Sequence, residues 1–137
     1  MAQDPKTVVQ RVIDEVWNRR DAAAAEELIA EGVVWHHTTL GERRGRAAFL
    51  EAVHEMRSAF PDTKVSVEAI AADGDRVMVH WVATGTHQAP YRGAAASGQA
   101  VTWTGTVVDR VVDGQIVERW TFVDHRPPGS PHEIATR

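Results

Sequence analysis

The sequence predicts an α+β fold in a single domain, and three observations carry that prediction. Helical spacing of apolar residues is confined to the stretch before Pro61. From Lys64 onward the apolar residues alternate instead, as they do in half-buried strands. Two Asp-Gly pairs, Asp73-Gly74 and Asp113-Gly114, each sit between alternating apolar runs, which is the signal of a tight hairpin. Three helices followed by long antiparallel strands pack as helices against one face of a curved, mostly antiparallel sheet.

Each element has its own signal. Asp4 is a candidate N-cap and Pro5 suits the first helical position. Val9, Val12, Ile13 and Val16 then form an apolar stripe that Trp17 widens, and Arg19 and Arg20 suit the carboxyl end. Asp21 can cap a second, shorter helix through Ala22–Ala25 to Ile29. Val33 to His37 reads as a short strand, followed by a Gly41/Gly45 loop on which Arg43 and Arg44 are expected to be solvated. A third helix carries Phe49, Ala52, Val53 and Met56 on one stripe and stops before Pro61. Strands then flank each Asp-Gly pair, and the Gly-, Ala- and Pro-rich residues 88–100 form the one long connection within the sheet. The barrel spans about residues 4–124 of a single domain 1–137, with three prolines marking 125–137 as an irregular tail.

Composition excludes several classes. The chain has 137 residues, enough for one domain with a sizeable core. Its net charge is −4 with no basic run, which argues against nucleic acid as a partner. There is no cysteine, so disulfides, thiolate metal sites and a cysteine nucleophile are excluded. The first residues lack the apolar core of a secretory signal, and no stretch is long enough to span a membrane, so a cytoplasmic protein without membrane contact is expected. Seven histidines invite a metal site, but no His-x-x-x-His pair exists and the strand histidines fall on opposite faces, so no metal is expected. No phosphate-cradling glycine loop or serine nucleophile elbow supports a cofactor or a hydrolase.

The last hairpin supplies the sharpest expectation. With Asp113-Gly114 as turn residues, regular alternation puts Trp103, Gly105, Val107, Asp109 and Val111 on one face. Asp124, Phe122, Trp120, Glu118 and Ile116 lie opposite them on that face, and the other face is threonine-rich. The aromatic face is the one expected to meet the helices and form a pocket. Asp124 would be partly desolvated there, with a raised pKa suited to general acid/base work. The assignment depends on register, because a one-residue slip inverts both faces. His87, at a strand end, is a candidate to orient Asp124 or polarise a carbonyl, against the plainer reading of a loop-anchoring histidine. Trp35, Trp81, Trp103, Trp120 and Phe122, with His37 and Glu118, are the candidate substrate-binding residues.

Several of these runs together resemble one known family. They are Ala59-Phe60-Pro61-Asp62, the turn Gly74-Asp75-Arg76-Val77, Gly85-Thr86-His87, and the spacing from Arg110 through Asp113-Gly114, Ile116, Glu118 and Trp120 to Asp124. With Glu15-Val16-Trp17-Asn18 and Asp21, they resemble the SnoaL-like polyketide cyclases, members of the group built on the cone-shaped barrel of nuclear transport factor 2. The resemblance runs from about residue 8 to Asp124. Ala95-Ala96-Ser97-Gly98-Gln99, Tyr91 and His80 depart from the pattern, and no histidine precedes the aspartate within the last hairpin.

The resemblance implies a cone-shaped sheet wrapped by three N-terminal helices, enclosing one pocket, and a homodimer through the outer sheet faces. It also implies cofactor-independent cyclase chemistry: an intramolecular aldol closure, or a related lyase or isomerase reaction, on a hydrophobic aromatic or polyketide carbonyl compound. Asp124 matches the family's acid/base aspartate, and His87 or a first-strand histidine would be its partner. Two other functions are compatible with the same features: a non-catalytic small-molecule-binding protein, and a hydroxylase component acting with a reductase partner.

Overall fold

The computed structural model describes residues 3–125. The expected tail lies almost wholly outside that range. Helix α1 (Pro5–Arg11) starts where Asp4 accepts the Thr7 N–H at 3.3 Å, and it runs on without a break as a π-helical segment (Val12–Asn18). Helix α2 (Ala22–Leu28) is capped by Asp21, whose carboxylate accepts the Ala24 N–H at 3.1 Å. Both caps satisfy backbone donors that a helix start leaves unpaired. Helix α3 spans Arg46–Ala59.

Six strands follow the order β2-β1-β6-β5-β4-β3, an open and strongly curved sheet. They are β1 (Ile29–His37), β2 (Gly41–Arg44), β3 (Lys64–Asp73), β4 (Arg76–Thr86), β5 (Ala100–Val112) and β6 (Gln115–His125). All neighbours are antiparallel except β1 and β6, which run parallel. The α+β class and the three wrapping helices are as the sequence predicts. The segment read as a solvated loop is instead the edge strand β2, with Arg43 opposite Trp35 and Glu42 opposite His36.

The two hairpins differ in detail. Asp73 pairs with Arg76, so Gly74-Asp75 make the first turn, one residue later than the Asp-Gly signal suggests. Val112 pairs with Gln115 as expected, and Asp113 and Gly114 both take positive φ, 53° and 78°. That is the backbone a type I′ turn requires.

The core lies between the concave sheet face and the helices. It centres on Val9, Val12, Val16, Leu28, Phe49 and Ile116, all essentially inaccessible to solvent. Two polar clamps fix the rim. The Asn18 side chain donates to the Val65 carbonyl at 2.9 Å and accepts the Val65 N–H at 2.8 Å, tying the first helix to β3. Asp62 accepts the Thr86 N–H and hydroxyl at 2.7 and 2.8 Å, tying the α3–β3 turn to the end of β4.

Candidate functional site

The helices do not fill the concave face completely. A pocket with about 740 Å³ of empty space, partly continuous with solvent, remains between α3, the first helix and the sheet. Trp17, Trp35, Trp81, Trp103 and Tyr91 are among its lining residues, with Met56 and Val123 at other points. Four sequence-predicted residues therefore meet there: Trp35, His37, Trp81 and Trp103.

The other predicted residues do not. For Glu118, Trp120, Phe122 and Asp124 a bulge in β6 decides this. Val111 pairs with Ile116 but Arg110 pairs with Glu118, so Val117 is an extra residue without a partner on β5. An extra residue shifts the alternation by one. Beyond it Arg119, Thr121 and Val123 point into the pocket, while Glu118, Trp120, Phe122 and Asp124 lie on the outer face. Regular alternation had assigned them the other way. A second bulge follows, because Gly105 pairs with Val123 and Thr104 with His125. Asp124 is its extra residue. Its side chain is 55% exposed and its Oδ2 lies 3.6 Å from Nε2 of His80 on the outer face.

The remaining outer-face residues have partners of their own. Glu118 accepts from Nε2 of His36 at 2.7 Å, and the Trp120 ring lies between a stacked His36 (5.4 Å) and the guanidinium of Arg76 (5.2 Å). Phe122 is 47% exposed. His87 is buried and stacks on Phe60 at 4.9 Å, away from the pocket lining, while its backbone holds Gln99 and Gly98. Among the described residues neither ring nitrogen of His87 has a hydrogen-bond partner, so the loop is held by the main chain of residue 87 and not by its ring.

At the pocket's polar end the predicted Trp35 and His37 are joined by Arg119 and Thr121, which sequence reasoning missed. Arg119 donates Nε and Nη2 to the two oxygens of Asp109 at 2.7 and 2.8 Å, with both side chains at most 4% exposed. Trp35 donates its indole N–H to the Thr121 hydroxyl at 2.9 Å. His37 is fixed by the turn that follows it. Its Nδ1 accepts the backbone N–H groups of Thr39 and Leu40 at 3.1 and 3.2 Å. An acceptor at Nδ1 puts the ring proton on Nε2. Burial, with the charges of Arg43, Arg119 and Arg92, lowers the His37 pKa to about 4, so the ring is neutral at ordinary pH. Tyr91 is pushed up to about 12, chiefly by burial, and stays protonated.

His37 and Arg119 thus bring a neutral and a cationic donor group to an aromatic cavity, and among the described residues the Nε2–H of His37 and the Nη1 of Arg119 have no hydrogen-bond partner. Among the described residues the lining contains no carboxylate, and no cluster of His, Asp or Glu has the arrangement of a metal site. The only hint of Arg119 in the sequence was its position one residue from Glu118, opposite Asp109. A bulge at Val117 was what the regular pattern could not show.

The sequence profile of the SnoaL-like polyketide cyclases matches residues 7–128. The chain belongs to that family. Among solved structures, IdmH from Streptomyces antibioticus, a candidate polyketide cyclase, is 30% identical with a TM-score of 0.80, over 89% of this chain and 93% of that one. AclR from Streptomyces galilaeus, a candidate hydroxylase, is 29% identical with a TM-score of 0.77, over 90% of each chain. A candidate SnoaL-like polyketide cyclase from Jannaschia sp. CCS1 is 26% identical with a TM-score of 0.80, over 90% of this chain and 92% of that one. No curated protein matches the chain significantly. The SnoaL-like cone is therefore the fold of this chain. Among the described residues no helix is long and apolar enough to cross a membrane.

Proposed function

We propose that this SnoaL-like protein is a cofactor-independent cyclase that closes a ring in a hydrophobic, aromatic or polyketide carbonyl compound. One observation carries the reading: a neutral histidine, locked as an Nε2–H donor, shares an aromatic pocket with an arginine that, among the described residues, keeps one nitrogen without a partner. Aldol closure needs an enolate and then an alkoxide, both oxyanions. Donors already in place and shielded from water favour such charge far more than water does. The flat tryptophan walls hold the chain folded so that nucleophilic carbon and acceptor carbonyl meet.

In this scheme His37 and Arg119 hold the carbonyl oxygen whose neighbouring carbon loses its proton. A carbon between two carbonyls is acidic enough, once its enolate is held this way, for water entering at the mouth to take that proton. The enolate carbon attacks the second carbonyl, and the new alkoxide takes a proton back from water. Asp124 has no direct line to the pocket in this arrangement, so the acid/base role read from the resemblance is not part of the scheme.

The test uses 1-(2-naphthyl)butane-1,3-dione, an aromatic 1,3-diketone. The protein should speed exchange of its central protons for deuterium, followed by NMR, and His37→Phe should abolish the gain. A compound that binds yet exchanges no faster than in buffer would sink the cyclase reading. The likeness to AclR supports a second reading, a hydroxylase component, which predicts a product that forms only in the presence of oxygen.

The outer face supports a homodimer. Phe122 and Met78 are each 47% exposed there, beside Trp120 and the threonines of β5, and single exposed residues of this kind gain most when they face one another. Sedimentation should give twice the chain mass, and Phe122→Glu should give the monomer. A monomeric wild type at high concentration would remove this part.

A further inference from the structure

Arg43 was assigned to solvent on sequence grounds, and its actual position raises a different question. It lies opposite Trp35 on β2, while Arg119 lies opposite Trp35 on β6, so one tryptophan of the pocket is flanked on both sides by arginines of the concave face. A third arginine, Arg92, follows the pocket residue Tyr91. Two of the three have carboxylate neighbours: Arg119 has Asp109 at 2.7 Å and Arg92 has Glu55 at 3.5 Å. Among the described residues Arg43 has no carboxylate within 4.0 Å, and its Nε is buried without a hydrogen-bond partner. The next residue shows the contrast, since Arg44 pairs with Glu42 at 2.7 Å on the outer face.

A part-buried guanidinium without a counter-charge is costly, and a donor left unpaired adds to that cost. Its charge also reaches the site: Arg43 acts on both His37 and Tyr91, two residues of the lining. Arg43 stands outside the lining residues, opposite Trp35, and because Asp109 balances Arg119 and Glu55 lies by Arg92, the uncompensated positive charge beside the polar end is that of Arg43. A flat guanidinium fork matches a planar carboxylate through two parallel N–H···O bonds.

We propose that Arg43 is a specificity residue which pairs with a carboxylate on the substrate, so that the compound taken by this pocket is an aromatic or polyketide acid rather than its neutral ester or amide. This deepens the cyclase reading and rests on the pocket being the substrate site. The carboxylate anchors one end of the compound beside Trp35. The reacting carbonyl then lies farther in, against His37 and Arg119.

The experiment is calorimetric titration of the full chain with 2-naphthoate and with 2-naphthamide, which share shape and differ in charge. The acid should bind at least about tenfold more tightly than the amide, as a charge-assisted pair at a shielded site implies. Arg43→Gln should remove that preference with the amide affinity unchanged, and Arg43→Lys should keep part of it. Equal binding of acid and amide by the wild type would overturn the proposal. So would a preference that survives in Arg43→Gln, which would move the anion to Arg119 or Arg92. The two readings fail separately. If neither ligand binds while the diketone exchange is accelerated, only the Arg43 proposal falls. If the acid is preferred but no diketone exchange occurs, only the cyclase chemistry falls.

Discussion

Arg119 and Asp109 face one another across β5 and β6 as a doubly hydrogen-bonded pair sealed from solvent, and the Arg119 guanidinium also lies 5.2 Å over the Phe49 ring. The pair therefore joins two strands, a helix and the pocket. Asp109→Asn leaves a buried cation without its counter-charge and should cost about 3–5 kcal/mol in urea unfolding. Asp109→Leu with Arg119→Met removes both charges and should be less destabilised than either single variant. A double variant that loses the sum of the two would show that the pair is not coupled.

His37 gives the protein a specific sensitivity to acid. Its pKa is about 4 in the fold against 6.5 for a free histidine. The unfolded chain therefore takes up this proton before the folded one does. The contribution to stability is complete above pH 6.5 and is lost as pH falls toward 4. The difference amounts to at most roughly 3 kcal/mol. Urea midpoints between pH 7 and 4 should fall more steeply in the wild type than in His37→Asn. Parallel curves would show that His37 is not held neutral.

The same neutral ring sets the pH dependence of turnover. Activity on a carbonyl substrate should show no inflection near pH 6.5 from this histidine. His37→Phe should lower turnover by about 10²–10³, the usual loss for one oxyanion donor. Asp124→Asn should change it by less than about twofold, because that side chain stands outside the pocket. A large loss in Asp124→Asn would mean that the end of β6 turns inward during the reaction.

Gly105 is a shape requirement of the pocket wall. A Cβ there would lie 2.5 Å from the Trp81 ring and 2.6 Å from the Phe122 carbonyl oxygen. Gly105→Ala should cost about 1–3 kcal/mol, as overpacking does. Removing the indole with Trp81→Leu should recover only part of that, because the second clash is with backbone. Complete recovery would show that the strand can yield there.

Much of this architecture was legible in the sequence. The helix starts at Asp4 and Asp21, the Asp113-Gly114 turn and the inward face of β5 all rest on local chemistry, and all are found in place. Trp35, His37, Trp81 and Trp103 were found for the same reason: their strands alternate regularly where they stand. Trp120, Phe122, Glu118 and Asp124 were misplaced by a single cause. One unpaired residue, Val117, reverses every side chain after it, and nothing in valine's chemistry announces a bulge. Arg43 was misread because β2 is four residues long and becomes a strand only by pairing with β1. The family resemblance could supply the fold, but it could not say which way a particular carboxylate points.

The parallel pairing of β1 with β6 has a consequence for how this protein comes into being. Trp35 and Thr121, whose hydrogen bond closes the polar end of the pocket, are 86 residues apart in the chain. Closing so long a loop is entropically slow, and contacts of this span set the folding rate of mixed folds. During synthesis β1 must wait, with its edge toward β6 unpaired, until nearly the whole chain has emerged. An unpaired strand edge is where chains associate wrongly. The segment that completes the binding site is thus also the one that ends the protein's most vulnerable interval, and truncation before β6 should yield aggregate rather than a smaller folded domain.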